Sequence, residues 1–505
     1  MAQRHDRIVL GTTTNISTID PADAYSTFAG TLLYNLGDRL YTYQTGSGDL
    51  VPQLATALPT ISADGLTYKI PLRQGVVFHD GTPFDAKAMV FSLERFIQNG
   101  GSPSFLLADL VDSVQATGPL ELTIKLKQSF SAFPALLAFS GTCAVSPKVY
   151  EIKANAFKPE EFVGTGPYKL VKVGTDQIRL DAFDRYWGKK PANQGVDIQV
   201  FSSGANLFNA FRTGAIDVAY KSMELEQIRA LQESASSGGW QILSKSGSGI
   251  DYVSVNLQSP PLNQPEVRQA IAAILDRPLL SQRVFQGQVD PLYSLVPTSM
   301  AAQVPAFQTA YGDANVDKAK ALLETAGYSL QQPLKVEFWY RSNVSTDQLA
   351  AITLKAIAQK KLGGLLQLQL NSVESTTAYR NLDKGAYPLF LLDWSPDFFD
   401  PDNYLYPFVE CLKGSIEKGC EEGQSFAQGS FYYSDRANQL LQQSRQELNP
   451  QTRQKLLTEL QQLVATDVPF IPLWQTKDFL FVQKWVDGAS LEVTQKVPFW
   501  SLKKH

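Results

Sequence analysis

No linker, repeat or low-complexity tract divides this chain of 505 residues, and this uniformity limits how the sequence can fold. A single hydrophobic core stops growing at about 250–300 residues, so a chain of this length is expected to form two or three lobes. Since no Pro-rich segment separates one part from another, we expect lobes that share chain segments instead of domains joined end to end.

Hydrophobic periodicity predicts a mixed α/β protein. Residues 7–13 are predicted to form an edge strand, and alternation over 120–127 predicts another strand. Asp85 is predicted to cap a helix that ends near Gln98. Strands and helices alternate in the second half, where 435–465 is predicted to form a single helix.

Composition excludes several classes of protein. Hydrophobic content of 44% and charged content of 19% are ordinary for a globular protein. A net charge of −4, with no Lys/Arg run longer than two, argues against nucleic-acid binding. No apolar stretch approaches the roughly 18 residues that a spanning helix needs, so we expect a soluble protein.

The three cysteines suggest one local crosslink. Cys411 and Cys420 lie nine apart in a loop, CLKGSIEKGC, that a disulfide could tie down, which would indicate an oxidising compartment. Two unpaired thiols in a cytosolic protein are the alternative. Cys143 lies in an apolar run and is expected to be buried. The polar start MAQRHDRIVLG predicts no signal peptide in this sequence.

Catalytic, cofactor and metal signals are not found. The sequence has no G-x-S-x-G, Walker, G-x-G-x-x-G or H-E-x-x-H motif, and only three histidines. His79, in FHDG, is interpreted as a loop-stabilising residue. We therefore predict no catalytic residue, no cofactor and no metal site.

The loop from Asp393 to Asn403, DWSPDFFDPDN, is the strongest functional signal. It follows an apolar strand-like run, Tyr387 to Leu392, and combines four acids with prolines and aromatic residues. Aromatic side chains exclude water, so a carboxylate attracts an ammonium or guanidinium group more strongly there. Prolines order the loop before binding. The alternative is an acidic, solvated turn.

Several ordered blocks resemble one family, the solute-binding proteins of peptide ABC importers, also called family 5. The similarity runs from IDPADA to the final strands. The blocks that carry it are LVPQLATALPTISADGLTYKIPLRQGVVFHDGTPFDAKAMVFSLER (Leu50 to Arg95), VGTGPYKL (Val163 to Leu170), YWGKKP (Tyr186 to Pro191), VNLQSPPLNQPEVRQAIAAILDRPLLSQRVFQGQ (Val255 to Gln288) and WSPDFFDPDNYL (Trp394 to Leu405).

The resemblance implies a two-lobed periplasmic-binding-protein fold of type II, cluster C, with an extra inserted domain. Lobe I would comprise residues 1–42, 164–250 and 477–505, the insert 43–163, and lobe III 251–476. The ligand, a di- to oligopeptide, would be captured in an interlobe cleft by hinge closure and delivered to a membrane permease.

The resemblance also implies ligand-binding residues. An Asp three residues after a Trp pairs with the peptide α-ammonium in peptide-binding members, and here Asp397 follows Trp394 in this way. Asp400 and Asp402 are interpreted as caps of turns around Pro401. The segment after IDP offers its backbone to the peptide, here Tyr25, Ser26 and Thr27; the alternative for these three is an ordinary helix N-terminus.

Two departures from the family pattern concern the same site. A tyrosine of the insert that helps bind the ammonium is replaced here by Ser104 or Phe105. The arginine that some members place three residues before the loop tryptophan is Leu391. Arg341 is the best candidate to pair with a ligand carboxylate, and a surface arginine is the alternative.

The implied partners are a peptide ligand and the permease and ATPase subunits of an importer, with no nucleic acid. We expect a monomer in the periplasm or another extracytoplasmic location, with or without a lipid anchor. Alternatives are a family-5 receptor for a nickel chelate, haem, glutathione or a sugar, an extracytoplasmic hydrolase with a carboxylate pair, and a chaperone-like protein.

Overall fold

The computed structural model describes residues 6–45, 47–220 and 223–505. The chain divides into two compact units, Met1–Lys245 with Asp478–His505, and Ser246–Lys477. The first unit contains both ends of the chain, so chain segments are shared as expected. The chain passes between the two units at 245–246 and at 477–478, and the predicted lobe boundaries after residues 250 and 476 remain predictions. The division of the first unit into lobe I and an insert remains a prediction.

The strands vary from two-residue pairs to long strands that run from one unit into the other, as β12 and β19 do. Their bounds are β1 Ile8–Thr12, β2 Tyr41–Tyr43, β3 Leu50–Pro52, β4 Thr60–Ile61, β5 Thr67–Pro71, β6 Val111–Gly118, β7 Glu121–Leu126, β8 Tyr168–Val173, β9 Gln177–Ala182, β10 Gly195–Val200, β11 Val218–Tyr220, β12 Trp240–Val255, β13 Val289–Pro291, β14 Leu334–Arg341, β15 Leu366–Val373, β16 Leu389–Trp394, β17 Lys413–Ser415, β18 Gly419–Glu422, β19 Phe470–Gln483, β20 Val486–Asp487 and β21 Lys503–Lys504.

The helices are concentrated in the second unit. Their bounds are α1 Thr27–Leu36, α2 Ala86–Gln98, α3 Phe105–Ala108, α4 Phe133–Leu136, α5 Gly204–Arg212, α6 Leu225–Glu233, α7 Ala235–Gly238, α8 Pro265–Ile274, α9 Arg277–Arg283, α10 Ala306–Tyr311, α11 Val316–Thr325, α12 Ser345–Leu362, α13 Ser375–Asn381, α14 Tyr406–Val409, α15 Gln424–Ala427, α16 Asp435–Gln446 and α17 Pro450–Asp467, with 3₁₀ turns at Ser140–Thr142, Pro401–Tyr404 and Phe499–Ser501.

The main sheet of the first unit has the strand order β19-β11-β1-β10-β9-β8. β1 pairs in parallel with both β10 and β11, so the prediction that residues 7–13 form an edge strand is wrong. Its sequence, IVLGT, carries no charge, and Ile8 and Leu10 are fully buried. Parallel strands covered on both faces have this uniformly apolar composition.

The first unit also holds a separate antiparallel sheet, β4-β5-β7-β6, within the predicted insert. Helix α2 lies beside it and begins where the sequence predicted, because the carboxylate of Asp85 accepts a hydrogen bond from the Ala88 amide at 2.9 Å. The predicted strand over 120–127 is β7.

The sheet of the second unit has the order β15-β14-β16-β12-β19, and β13 also pairs with β19. β14 runs parallel to β15 and β16, so these three strands end at the same edge, at Arg341, Val373 and Trp394. In open α/β sheets this carboxyl-terminal edge is where ligands bind.

The two ends of the second unit meet at one carboxylate. Asp290 accepts a hydrogen bond from Ser246 Oγ at 2.7 Å and forms an ion pair with Lys477 Nζ at 2.9 Å. The unit therefore starts and finishes at nearly the same point.

The single helix predicted over 435–465 is two helices, α16 and α17. Asn449 accepts a hydrogen bond from the Thr452 amide at 3.0 Å, and Pro450 occupies the first turn of α17. Proline is unfavourable inside a helix but suits the start of one, so Asn449-Pro450 ends one helix and begins the next.

The cysteines are arranged as predicted. Cys411 and Cys420 form a disulfide across the short hairpin of β17 and β18. Cys143 is a free, buried thiol, and burial raises its pKa to about 12. No helix in the described part of the chain is both long and apolar enough to cross a lipid bilayer.

A buried ion pair fixes the segment before α1. Asp20 and Arg95 are at most 1% exposed and form two hydrogen bonds of 2.7 Å each. Asp20 also accepts from the amides of Ala22 at 3.0 Å and Lys158 at 2.7 Å. A Cβ atom on Gly101 would collide with the Ala22 carbonyl oxygen, so this glycine permits close packing.

His79 ties two loops of the first unit together. Its Nδ1 accepts from the Gly164 amide at 3.3 Å, and its Nε2 lies 3.0 Å from the Gly166 carbonyl oxygen. This contact agrees with the predicted loop-stabilising role. Burial lowers the pKa of His79 from 6.5 to about 4, so the ring is neutral at pH 7.

Replacing Asp20 by Asn is expected to reduce the free energy of unfolding by about 3–5 kcal/mol, because Arg95 would remain buried without an anionic partner. Urea denaturation measures the loss. Asp112→Asn, at an exposed position of β6, should change stability by no more than about 0.5 kcal/mol. Equal stability of Asp20→Asn and the unsubstituted protein would contradict the proposed anchoring.

The free energy of unfolding is expected to fall as the pH is lowered from 6.5 to about 4, because the unfolded chain protonates His79 in this range and the folded protein does not. The slope contributed by one such group is at most about 1.4 kcal/mol per pH unit. Denaturation at several pH values should show a shallower slope for His79→Gln. An NMR titration that gave His79 an ordinary pKa would refute this expectation.

Candidate functional site

The loop that follows β16 is held by its own hydrogen bonds. Trp394 Nε1 donates to the Asn403 carbonyl oxygen at 2.9 Å, and the Asp397 amide donates to Asn403 Oδ1 at 2.7 Å. Asn403 is buried, and Asp397 is half-buried. Asn403 therefore fixes the loop at two positions, Trp394 and Asp397.

Two of the other acids in the loop are structural. Asp400 accepts two hydrogen bonds from Arg453, at 2.9 and 2.6 Å, and caps the turn at Pro401 through the Asp402 amide at 2.8 Å, as predicted. Asp402 is buried instead of capping a turn, and Arg445 Nε lies 3.4 Å from its Oδ1. Burial raises the pKa of Asp402 to about 6.

The base of the loop is fixed from a neighbouring strand. Tyr404 is fully buried and donates its hydroxyl to the Ser248 carbonyl oxygen at 2.6 Å. The Trp394 ring packs edge-on against Phe408, with ring centroids 5.6 Å apart. The acidic loop is thus a rigid, partly desolvated surface, and not a solvated turn.

Arg341, predicted as a partner for a ligand carboxylate, lies in a network of charges at the end of β14. Its Nε donates to Asp347 Oδ2 at 2.7 Å and its Nη2 to Asp347 Oδ1 at 3.3 Å. Its Nη1 contacts Asp393 Oδ1 and the Tyr379 hydroxyl, the latter at 3.2 Å. Burial alone would lower the pKa of Arg341, but the hydrogen bond to Asp347 and the charge of Asp393 raise it.

A third carboxylate lies beside this network. Asp251 on β12 is directly opposite Asp393 on β16 in the antiparallel register. Burial, reinforced by the charges of Asp393 and Asp347, raises the pKa of Asp251 well above its ordinary value. This network therefore places three aspartates, Asp251, Asp347 and Asp393, around Arg341.

In the first unit, the structure places the predicted backbone segment at the start of α1. Ser26 caps this helix by accepting from the Ala29 amide at 3.3 Å, and Thr27 is its first residue. Ser26 and Thr27 therefore form a helix N-terminus, which is the predicted alternative to a peptide-binding segment. Tyr25 precedes the cap and is 43% exposed.

Tyr25 and Phe105 are brought together by the fold. Their rings meet edge to face, with centroids 6.0 Å apart, and Phe105 is also exposed. Phe139 extends the group, with its ring centroid 6.5 Å from that of Tyr25. Ser104 precedes Phe105 at the start of α3 and makes no side-chain cap there. Tyr25 and Phe105, two of the residues predicted in this unit, therefore form an exposed aromatic platform with Phe139 beside them.

Sequence reasoning did not find Phe139, Asp347 or Asp251 as members of these sites. Phe139 lies in an apolar run that is typical of a core, and Asp251 lies within β12 among apolar residues. Asp347 follows Arg341 by six residues, in the first turn of the next helix. An acid in that position is a recognisable partner for an arginine at a strand end, and it is the one local signal that was available.

Known proteins resemble this chain over most of its length. The model of the bacterial extracellular solute-binding proteins, family 5 Middle, matches residues 49–415. The chain is 26% identical to the glutathione-binding protein GsiB of Escherichia coli O1:K1 / APEC, over 98% of this chain and 91% of the relative. It is also 26% identical to the probable D,D-dipeptide-binding periplasmic protein DdpA of E. coli K12, over 96% and 91%.

A solved structure shows which fold this chain has. HbpA2 from Haemophilus parasuis superposes with a TM-score of 0.86 at 21% identity, covering 99% of this chain and 100% of the other. The predicted α/β fold, that of two-domain periplasmic binding proteins, is therefore confirmed. The family match extends over most of the sequence and includes the loop that carries Asp397. This chain belongs to the bacterial extracellular solute-binding proteins of family 5.

Proposed function

We propose that this protein is the receptor of an ABC importer for peptides that have a free α-ammonium group, and that Asp397 binds this group. The observation that carries the proposal is the position of Asp397 on a rigid loop at the carboxyl-terminal edge of a parallel sheet, three residues after Trp394. A half-buried carboxylate beside aromatic side chains suits an ammonium ion better than a fully solvated one does.

Rigidity of the loop favours binding. Arg453 holds Asp400, Asn403 holds both Trp394 and Asp397, and these contacts lie within the unit that carries the loop. A ligand that meets an ordered carboxylate does not have to order the loop as it binds, so less of the interaction free energy is lost.

The exposed platform of Tyr25 and Phe105 supports a peptide ligand in a second way. Main-chain groups beside an aromatic surface can pair with the backbone of an extended peptide and tolerate different side chains. Asp20 and Arg95 hold this segment in place. Binding by backbone pairing would give the receptor a broad range of peptide sequences.

The names of the relatives are compatible with this ligand class. Glutathione and a dipeptide, the ligands in the names of GsiB and DdpA, each contain an α-ammonium group and a peptide-like backbone. We therefore infer an extracytoplasmic receptor that acts as a monomer, has no catalytic step of its own, and delivers peptides to the permease and ATPase subunits of an importer.

Replacing Asp397 by Asn should weaken the binding of peptides with a free N-terminus by about 2–5 kcal/mol and leave their N-acetylated forms almost unaffected. The reason is that only the free peptide brings a positive charge to the carboxylate. Isothermal titration calorimetry with alanine peptides, from dialanine to penta-alanine, measures both affinities.

Asp383→Asn is a matched control, since Asp383 is an exposed acid of the same unit. It should change neither affinity. Equal weakening of free and acetylated peptides by Asp397→Asn would mean that Asp397 acts through the fold of the loop. If no alanine peptide binds the unsubstituted protein, the peptide proposal itself fails.

A further inference from the structure

The guanidinium group of Arg341 has one permanent partner. Arg341 is 7% exposed and Asp347 is 1% exposed, and two hydrogen bonds join Nε and Nη2 of the arginine to the Asp347 carboxylate. This is the paired, side-on geometry that an arginine offers to any carboxylate. That edge of Arg341 is therefore closed to a ligand.

The remaining nitrogen, Nη1, is occupied by Asp393. The two residues form an ion pair, and the Tyr379 hydroxyl lies 3.2 Å from Nη1 and 3.3 Å from Asp393 Oδ1. Unlike Asp347, the Asp393 side chain is 43% exposed. The partner on this edge thus lies where an incoming ligand could compete with it.

The place of this contact in the fold connects it with the candidate site. Arg341 is the last residue of β14, and Asp393 directly precedes Trp394, the last residue of the parallel strand β16. A ligand carboxylate that approached Nη1 would have to displace the Asp393 carboxylate. It would also meet the negative charges of Asp393 and Asp347, the two ion-pair partners of Arg341. Like charges disfavour such an approach.

We propose that Asp393 is a specificity-determining residue that occupies Arg341 from within the chain, so that the receptor does not read a ligand carboxylate there. The inference rests on the proposed peptide-binding function. It assigns a ligand class: peptides held by the N-terminal ammonium and the backbone, whose C-terminus can be free, amidated or extended. Arg341 then serves to position Asp393 and the end of β16.

Replacing Asp393 by Ala tests the proposal, because the variant should gain a preference for peptides with a free C-terminal carboxylate. Arg341 keeps its buried partner Asp347, so the fold should survive the change. The unsubstituted protein should bind an alanine peptide and its C-terminal amide within about twofold of each other. Asp393→Ala should prefer the free acid by about tenfold or more, as expected for a new hydrogen bond between charged groups.

Two further variants serve as controls for Asp393→Ala. Asp393→Asn retains the size of the side chain, removes its charge, and should show a smaller preference for the free acid than Asp393→Ala. Asp383→Ala, which removes an exposed acid of the same unit, should bind both forms as the unsubstituted protein does.

A second measurement does not depend on peptide binding. N-acetylalanine carries a carboxylate but no ammonium, and N-acetylalanine amide carries neither. The ¹⁵N resonances of the Arg341 guanidinium should shift saturably with N-acetylalanine only in Asp393→Ala. This separates the two proposals: failure of every alanine peptide to bind would refute the peptide function, and the NMR titration would still decide the role of Asp393.

Three results would overturn the role of Asp393. One is a preference for the free acid that is already about tenfold in the unsubstituted protein. Another is an Arg341 resonance of that protein that responds to N-acetylalanine. The last is an Asp393→Ala variant that folds but neither discriminates acid from amide nor responds to N-acetylalanine.

Discussion

A carboxylate that leaves water needs a positive partner, and the arrangement of this protein depends on how that need is met. Arg95 holds Asp20 in the segment before α1, Arg453 holds Asp400 in the acidic loop, and Arg341 holds Asp347 at the end of β14. Each pair joins segments that are distant in sequence or lie on different elements. Because removal of either member would leave a buried charge uncompensated, these pairs fix the loops on which the candidate ligand-binding groups are mounted.

The same pairing explains how the acids of one loop differ in their roles. Asp400 and Asp402 are neutralised by arginines of α16 and α17 and support the turn, whereas Asp393 lies at the surface against Arg341. Asp397 is carried by the backbone that these contacts order. An acidic loop can thus be rigid and still present a carboxylate for binding, since repulsion among its members is offset by arginines beneath it.

Much of the architecture could be predicted from local pattern. The Asp85 cap, the strand at 120–127 and the Cys411–Cys420 crosslink follow from neighbours in sequence. The errors arose where non-local packing or one residue overrode the pattern: β1 is covered on both sides, and Pro450 splits a helix. In the site, composition indicated the loop that carries Asp397, but composition could not predict which of the loop's acids pair with arginines. The partner of Asp400 is 53 residues away, and Arg341 meets acids from two other elements.

The meeting of both ends of the second unit at Asp290 has a consequence for the history of such chains. A unit whose first and last residues lie close together can be inserted into another domain as one segment, since the two ends of the insertion then lie side by side. Recombination could therefore exchange the second unit, which contains the acidic loop, while the first unit keeps the aromatic platform. New pairs of acidic loop and aromatic platform would arise without a change in the core of either unit.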